Sequence, residues 1–243
     1  MSNDLQIPDH LLDLLKNSQR IVFFGGAGTS TESGIPDFRS ARGIYSTIPE
    51  DALCSRNLYE RPKVFFTYYR KLRIYPDIQP HEGHRILQRW ESEKRLSGII
   101  TQNIDGLHQK AGSIKVIELH GSTQRNYCES CGKTYSLEAF LSMDLVPCCT
   151  CGGKVRPDVT LFGEMLNQKS VNEAIELIRT AEIVIIGGTS LVVYPAAGLI
   201  DYFQGKALIM INLGSTPYDT KVNLMLNMSF MKAMIALDKL IQA

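Results

Sequence analysis

Five cysteines between positions 128 and 151 carry the most specific chemistry in this 243-residue sequence. Cys128-x-x-Cys131, a sixteen-residue spacer and Cys148-x-x-Cys151 match the spacing of a four-thiolate zinc ribbon, in which two turns aim four sulfurs at one tetrahedral ion. Four protein ligands leave no position for water, so such a site is structural. Cys149-x-Cys151 can also ligate. The expected set is nevertheless Cys128, Cys131, Cys148 and Cys151, because two residues then separate the ligands in both turns and Gly152-Gly153 can complete the second. Cys54 stands apart and reads as a buried thiol. A local cluster in a long chain is unlike a secreted disulfide framework and points to a reducing compartment.

Four further groups of residues have types suited to a nucleotide. Gly26-Ala27-Gly28 follows an apolar run and can make a tight turn whose N–H groups meet a pyrophosphate at a helix start, although Thr31 stands where a dinucleotide fingerprint has its third glycine. Gln102, Asn103, Ile104 and Asp105 can hydrogen-bond a ribose or an amide, or Asp105 can cap a helix. Gly188, Thr189 and Ser190 can bind phosphate or ribose oxygens, and two small hydroxyl residues equally suit a cap. His120, before Gly121, can serve as a general base, because an unperturbed imidazole is neutral near pH 7. By itself it also reads as a structural histidine, as do His10, His81, His84 and His108.

The elements that must position these residues follow a pattern. Apolar, β-branched runs at 21–24, 98–101, 183–186 and 207–211, with a fifth at 116–119, each end where the polar groups begin. Such runs are what strands buried on both faces of a parallel sheet look like. Helical periodicity at 11–16, 82–93 and 171–179 alternates with them, which predicts βαβ units and a doubly wound α/β domain with its ligand beyond the carboxyl ends of the strands. Two stretches interrupt the alternation, 36–80 with a helix near 63–73 and 127–164 with the cysteines; they are expected to fold together over the ligand edge. The formal net charge of +1 argues against direct nucleic-acid binding, and no apolar run is long enough for a membrane helix. No signal peptide is evident, so the expected location is cytoplasmic.

In this order the motifs resemble the sirtuin family of NAD-dependent protein deacylases. The resemblance is carried by Gly26-Ala27-Gly28 through Ser33-Gly34-Ile35-Pro36-Asp37-Phe38-Arg39, Thr101-Gln102-Asn103-Ile104-Asp105, His120-Gly121, the paired cysteines, Arg156-Pro157-Asp158 through Phe162-Gly163-Glu164, Gly188-Thr189-Ser190-Leu191 and Ile211-Asn212. It implies a Rossmann-like domain (1–37, 81–120 and 165–243), a helical cofactor-loop module (38–80) and a zinc-binding module (121–164). It also implies NAD as co-substrate, one structural Zn²⁺, and transfer of an acetyl group from acetyl-lysine to ADP-ribose with release of nicotinamide. The catalytic residues it implies are His120 and Asn103. The cofactor residues are Gly26, Ala27, Gly28, Thr31, Phe38, Arg39, Gln102, Asn103, Ile104, Asp105, His120, Gly188, Thr189, Ser190, Asn212, Ser229 and Phe230. Substrate contacts fall on Val159, Thr160, Phe162, Gly163, Glu164 and Val193, where an extended peptide adds to strand edges.

Relatives that prefer acidic acyl groups carry Tyr-x-x-Arg; here Tyr69 is followed three residues later by Leu72, with Arg73 one position on, which favours acetyl. Mono-ADP-ribosyl transfer and deacylation of longer acyl groups are the alternatives. The expected partners are acetyl-lysine proteins, and the expected state is a monomer.

Overall fold

The computed structural model describes residues 6–38, 40, 43–46 and 48–243. Six parallel strands form the main sheet: β1 (Ile21–Gly25), β2 (Leu96–Thr101), β3 (Val116–Glu118), β7 (Ile183–Gly187), β8 (Ala207–Ile211) and β9 (Leu224–Leu226), in the order β3-β2-β1-β7-β8-β9. Residues alternate across it with the period of two that a strand dictates. Ile21, Phe23, Ile183, Ile185, Ile209 and Ile211 pack under α1 (Asp9–Asn17), α4 (Glu82–Ser92) and α8 (Phe230–Gln242). Val22, Phe24, Val184, Ile186 and Met210 pack under α7 (Gln168–Thr180) and the 3₁₀ segment Ala196–Tyr202. Burial on both faces explains why these runs are apolar throughout.

The register sets the site. Glu118, Thr101, Gly25, Gly187, Ile211 and Leu226 form one row across the sheet, and each ends its strand. The chain passes from β1 towards β3 on one side and resumes at β7 on the other, so β1 and β7 flank the switch point where such sheets open a crevice.

The interrupting stretches do pack together. β4 (Gly121–Cys128), β5 (Thr134–Ser136) and β6 (Val155–Val159) make an antiparallel sheet. Phe65, Phe66 and Tyr69 of α3 (Pro62–Arg73) share a core with Leu58 of α2 (Ser55–Glu60), Phe140 of α6 (Leu137–Leu141), and Val155 and Val159. Arg70 completes the joint, with its guanidinium donating to the carbonyls of Leu141 at the end of α6 and of Met143 and Asp144 beyond it.

Three features depart from the sequence expectation. β9 and α8 were not among the expected elements, and the glycine turn does not start an α-helix. Two single-turn 3₁₀ segments, Ala27–Thr29 and Thr31–Ser33, follow it instead. A third glycine in the fingerprint serves close helix–strand packing, and without that helix Thr31 is no defect.

Candidate active site

The crevice floor is backbone. Gly26 N–H donates to Gly187 O (3.0 Å) and Gly28 N–H to Gly188 O (2.8 Å). A Cβ on Gly28 would lie 2.7 Å from Gly188 Cα, and one on Gly188, whose φ is +58°, would lie 2.3 Å from Thr29 N. Both positions therefore require glycine, and the two strand ends touch with no side chain over the opening.

The polar loop after β2 is held over this floor by bonds that local sequence does not reveal. The Thr29 hydroxyl donates to Gly26 O (2.7 Å) and the Ser30 hydroxyl to Asp105 Oδ2 (2.7 Å), so each can only accept from Asn103, whose Nδ2 lies 3.0 Å from both. That assigns the amide orientation and presents Oδ1 as an acceptor. Asp105 Oδ1 accepts from Leu107 N–H (2.9 Å) at the start of α5 (Leu107–Lys110), so the residue serves as a turn cap and as a site residue together. Burial raises its pKa, against the lowering effect of Leu107 N–H and Ser30. Thr123 ties down Ile104 O through both its N–H (2.9 Å) and its hydroxyl (3.0 Å), and Gln102 Nε2 donates to Thr189 Oγ1 (3.2 Å).

His120 projects from the turn between β3 and β4. Its Nδ1 lies 2.9 Å from Gln102 O; a carbonyl only accepts, so Nδ1 carries the proton and Nε2 the basic lone pair. Gly121 (φ +75°) makes the turn, and a Cβ there would fall 2.0 Å from Asp158 O. Among the other histidines, His81 bonds Thr29 O through Nε2 (2.8 Å) and accepts Gly83 N–H at Nδ1 (3.0 Å). His84 and His108 lie fully inside the core, and burial, then neighbouring positive charge, pushes their pKa values down to about 2 and about 3. His10 is exposed.

The opposite wall is the segment after β6. The Arg156 guanidinium forks onto Glu164 (2.7 and 2.9 Å) and also reaches Val159 O (3.0 Å), while Leu161 N–H donates to Glu164 Oε2 (2.9 Å). Burial alone would raise the Glu164 pKa, but Arg156 and the Leu161 N–H hold it below the usual value. This clamp bends the chain at Gly163 (φ +92°) and leaves Phe162 44% exposed at the cleft mouth.

At the cysteines the structure corrects the expected ligand set. The sulfurs of Cys128, Cys131, Cys149 and Cys151 lie within 4.8 Å of one another, with Cys128···Cys151 at 3.6 Å and Cys131···Cys149 at 3.7 Å. Tetrahedral thiolates about 2.3 Å from zinc stand about 3.8 Å apart, so the four fit that ion. Cys148 is not among them. It lies in extended backbone bridged to Lys154, where successive side chains point to opposite sides, so with Cys149 turned inward Cys148 faces solvent. Tyr135 O–H donates to Cys149 Sγ (3.0 Å), and Gly153 has no room for a Cβ, which would lie 2.7 Å from Cys128 Sγ. Cys54, expected to be buried, is half-buried, and its backbone bridges to Phe162.

A family model described as "Sir2 family" matches residues 26–195. This chain belongs to the Sir2 family. An NAD-dependent protein deacetylase of Clostridium perfringens (strain 13 / Type A) is 50% identical over 232 residues, covering 92% of this chain and 95% of the relative. One of Cutibacterium acnes (strain DSM 16379 / KPA171202) is 46% identical over 237 residues, covering 95% and 97%. A solved Sir2 complex with p53 peptide and NAD+ is 39% identical, with TM-score 0.87 over 97% of this chain and 98% of that one. Another, with deacetylated p53 peptide and 3'-O-acetyl-ADP-ribose, is 39% identical, with TM-score 0.89 over 95% and 97%.

Within this Sir2 fold a cleft of about 570 Å³ gathers almost every expected site residue. Ala27, Gly28, Thr31, Phe38, Gln102, Asn103, Ile104, Asp105, His120, Gly188, Thr189, Ser190, Asn212, Ser229 and Phe230 line it, as do Val159, Thr160, Phe162, Gly163, Glu164 and Val193. Gly26 is not in its lining, and Arg39 falls outside the described residues. Phe230 is only 2% exposed and packs mainly on Phe23 and His81. Tyr69 and Leu72 also line the cleft; the side chain of Arg73 is outside what is described. Sequence reasoning missed Thr29 and Ser30, for which hydroxyls directly after the glycine turn were the available signal, and gave Arg156 no role.

Proposed function

We propose that this chain is an NAD-dependent protein-lysine deacetylase that moves the acetyl group of acetyl-lysine to ADP-ribose and releases nicotinamide. The observation that carries the reading is His120. Its tautomer is set by Gln102 O, and its basic nitrogen belongs to a cleft with the glycine floor on one side and the Arg156-clamped segment on the other.

NAD, when bound, supplies the ribose carbon to which the acyl oxygen bonds as nicotinamide leaves. The protein's part is orientation and one proton. Gly28 and Gly188, which have no room for a side chain and line the cleft, are proposed to admit a pyrophosphate, with Thr189 and Ser190 beside it. Ile104 and Asp105 are the residues proposed to hold the carboxamide. The Asn103 Oδ1 acceptor and His120 Nε2 are proposed for the ribose hydroxyls, where Nε2 takes the proton and the Gln102 carbonyl stabilises the imidazolium through Nδ1–H.

The peptide is proposed to lie extended between residues 159–164 and Val193, bound through main-chain atoms, so that its flanking sequence matters less than its acyl-lysine. Leu72 in the cleft supports an uncharged acyl group, because it offers no donor to a carboxylate. Cys128, Cys131, Cys149 and Cys151 would hold zinc as a structural ion. Among the described residues no helix is long and apolar enough to cross a membrane, and a monomer in the cytoplasm is the proposed setting.

The test is nicotinamide release from NAD with an acetyl-lysine peptide, by the parent chain and by His120→Ala. Peptide-dependent release in the parent, with deacetylation abolished in the variant, is expected. Release only with longer or acidic acyl groups overturns the acyl assignment. ADP-ribosylated protein without deacylated peptide establishes the transferase instead.

A further inference from the structure

Ser229 stands at the N-cap of α8 yet makes no side-chain bond to its own helix. Its hydroxyl donates instead to Glu32 Oε1 (2.8 Å), and Glu32 Oε2 accepts Met231 N–H (2.7 Å), the donor an N-cap side chain ordinarily satisfies. A carboxylate nearly two hundred residues earlier in the chain therefore caps the thirteen-residue α8, where its charge also complements the helix dipole. Glu32 belongs to the 3₁₀ turn Thr31–Ser33, directly after the glycine floor. Its neighbour Thr31 lines the cleft, as do Met228, Ser229 and Phe230 at the start of α8, whereas Glu32 itself does not.

The geometry points to Glu32 as a positioning residue for the cofactor, one that fastens the Met228–Phe230 wall of the cleft to the segment that follows the glycine turn. The inference rests on the cofactor reading above. Two segments far apart in sequence meet where they line the cleft, and this carboxylate supplies two polar contacts between them. Without it, Met231 N–H and the Ser229 hydroxyl lose their partner, and the wall is left with the packing of Phe230 on Phe23 and His81 to hold it against the floor. The consequence falls on cofactor binding rather than on the proton-transfer residues, which are held by the separate network of Thr29, Ser30, Asn103 and Gln102.

The experiment compares Glu32→Ala, Glu32→Asp and Glu32→Gln with the parent chain in steady-state deacetylation and in calorimetric binding of ADP-ribose. Losing charge-assisted bonds of this kind corresponds to about tenfold in affinity. Glu32→Ala is therefore expected to raise KM for NAD and Kd for ADP-ribose by about that factor, with kcat and the peptide KM unchanged. Glu32→Asp, one methylene too short to reach both partners, should fall between. Glu32→Gln should restore most of the affinity, since its amide oxygen can take Met231 N–H while its NH₂ donates to Ser229.

Reduced thermal stability with unchanged ADP-ribose binding would show a merely structural cap and overturn the proposal. So would a fall in kcat with KM for NAD unchanged. If the alanine variant does not fold, the aspartate and glutamine variants carry the same comparison. Failure of the parent itself to bind ADP-ribose would overturn the cofactor reading first, and this inference with it.

Discussion

The buried imidazoles of His84 and His108 make acid stability a quantitative test of the packing beneath the cofactor floor. The two rings lie 4.9 Å apart between centroids, and none of their nitrogens has a hydrogen-bond partner among the described residues. Burial lowers the His84 pKa from 6.5 to about 2, with His108, His81 and Arg85 adding to it, and lowers that of His108 to about 3, with His81 adding to it. A group whose folded pKa is depressed contributes stability that is present above its unfolded pKa and lost as pH falls below it. Between pH 6.5 and the folded values, the unfolded chain binds two protons that the native chain refuses. Each histidine then contributes a slope approaching about 1.4 kcal/mol per pH unit, or about 2 kcal/mol lost at pH 5 relative to neutral pH. The pair together account for about 4 kcal/mol, a large share of the 5–15 kcal/mol typical of a whole domain.

Urea denaturation of the parent, His84→Leu and His108→Leu at intervals from pH 7.5 to 4.5 measures this directly. Each substitution should reduce the slope by up to about 1.4 kcal/mol per pH unit, whatever it does to stability at neutral pH. The depressed carboxylates Glu164 and Glu182 lose their contribution at lower pH, below the usual carboxylate value, so the windows separate. Equal slopes in all three proteins would refute the reasoning, as would C–H resonances of His84 or His108 that titrate near pH 6.5 in the folded chain.

Other consequences are equally direct. Gly188→Ala places a Cβ 2.3 Å from Thr29 N at φ +58°, so it should destabilise by about 2 kcal/mol or more and weaken ADP-ribose binding, read by thermal unfolding and calorimetry. Glu164→Ala leaves the buried Arg156 only the more distant carboxylate of Glu129 (3.9 Å) and should cost about 3 kcal/mol, with a larger rise in KM for peptide than for NAD; an unchanged melting temperature would refute the clamp. Cys149→Ser should lose zinc under chelator challenge while Cys148→Ser retains one ion per chain by elemental analysis, and the reverse pattern would restore the expected ligand set.

Most of the fold was legible because burial leaves a local trace. A strand covered on both faces has no place for a polar residue, so 21–24, 183–186 and 207–211 announce themselves, and the row of strand ends follows once those strands are parallel. The edge strand Leu224–Leu226 has only three residues, two of them half-buried, and leaves little pattern to read. The helix Phe230–Gln242 does repeat its apolar face, at Phe230, Ala233, Met234, Leu237 and Ile241, and that signal was available.

The site divides in the same way. Residue types that do chemistry, such as His120, the Gly26–Gly28 turn and the polar run from Gln102, are visible because they sit where strands end. Their roles in the network are not. Asn103 owes its orientation to hydroxyls more than seventy positions away, Glu164 to Arg156 across a turn, and Ser229 to Glu32 at the other end of the chain. Even the choice between Cys148 and Cys149, adjacent residues of one type, depends on which way an extended backbone faces after pairing with Lys154. Periodicity reports how much of an element is covered. Which atom meets which is settled only when distant segments pack, because each buried donor must then find an acceptor brought there by the rest of the fold.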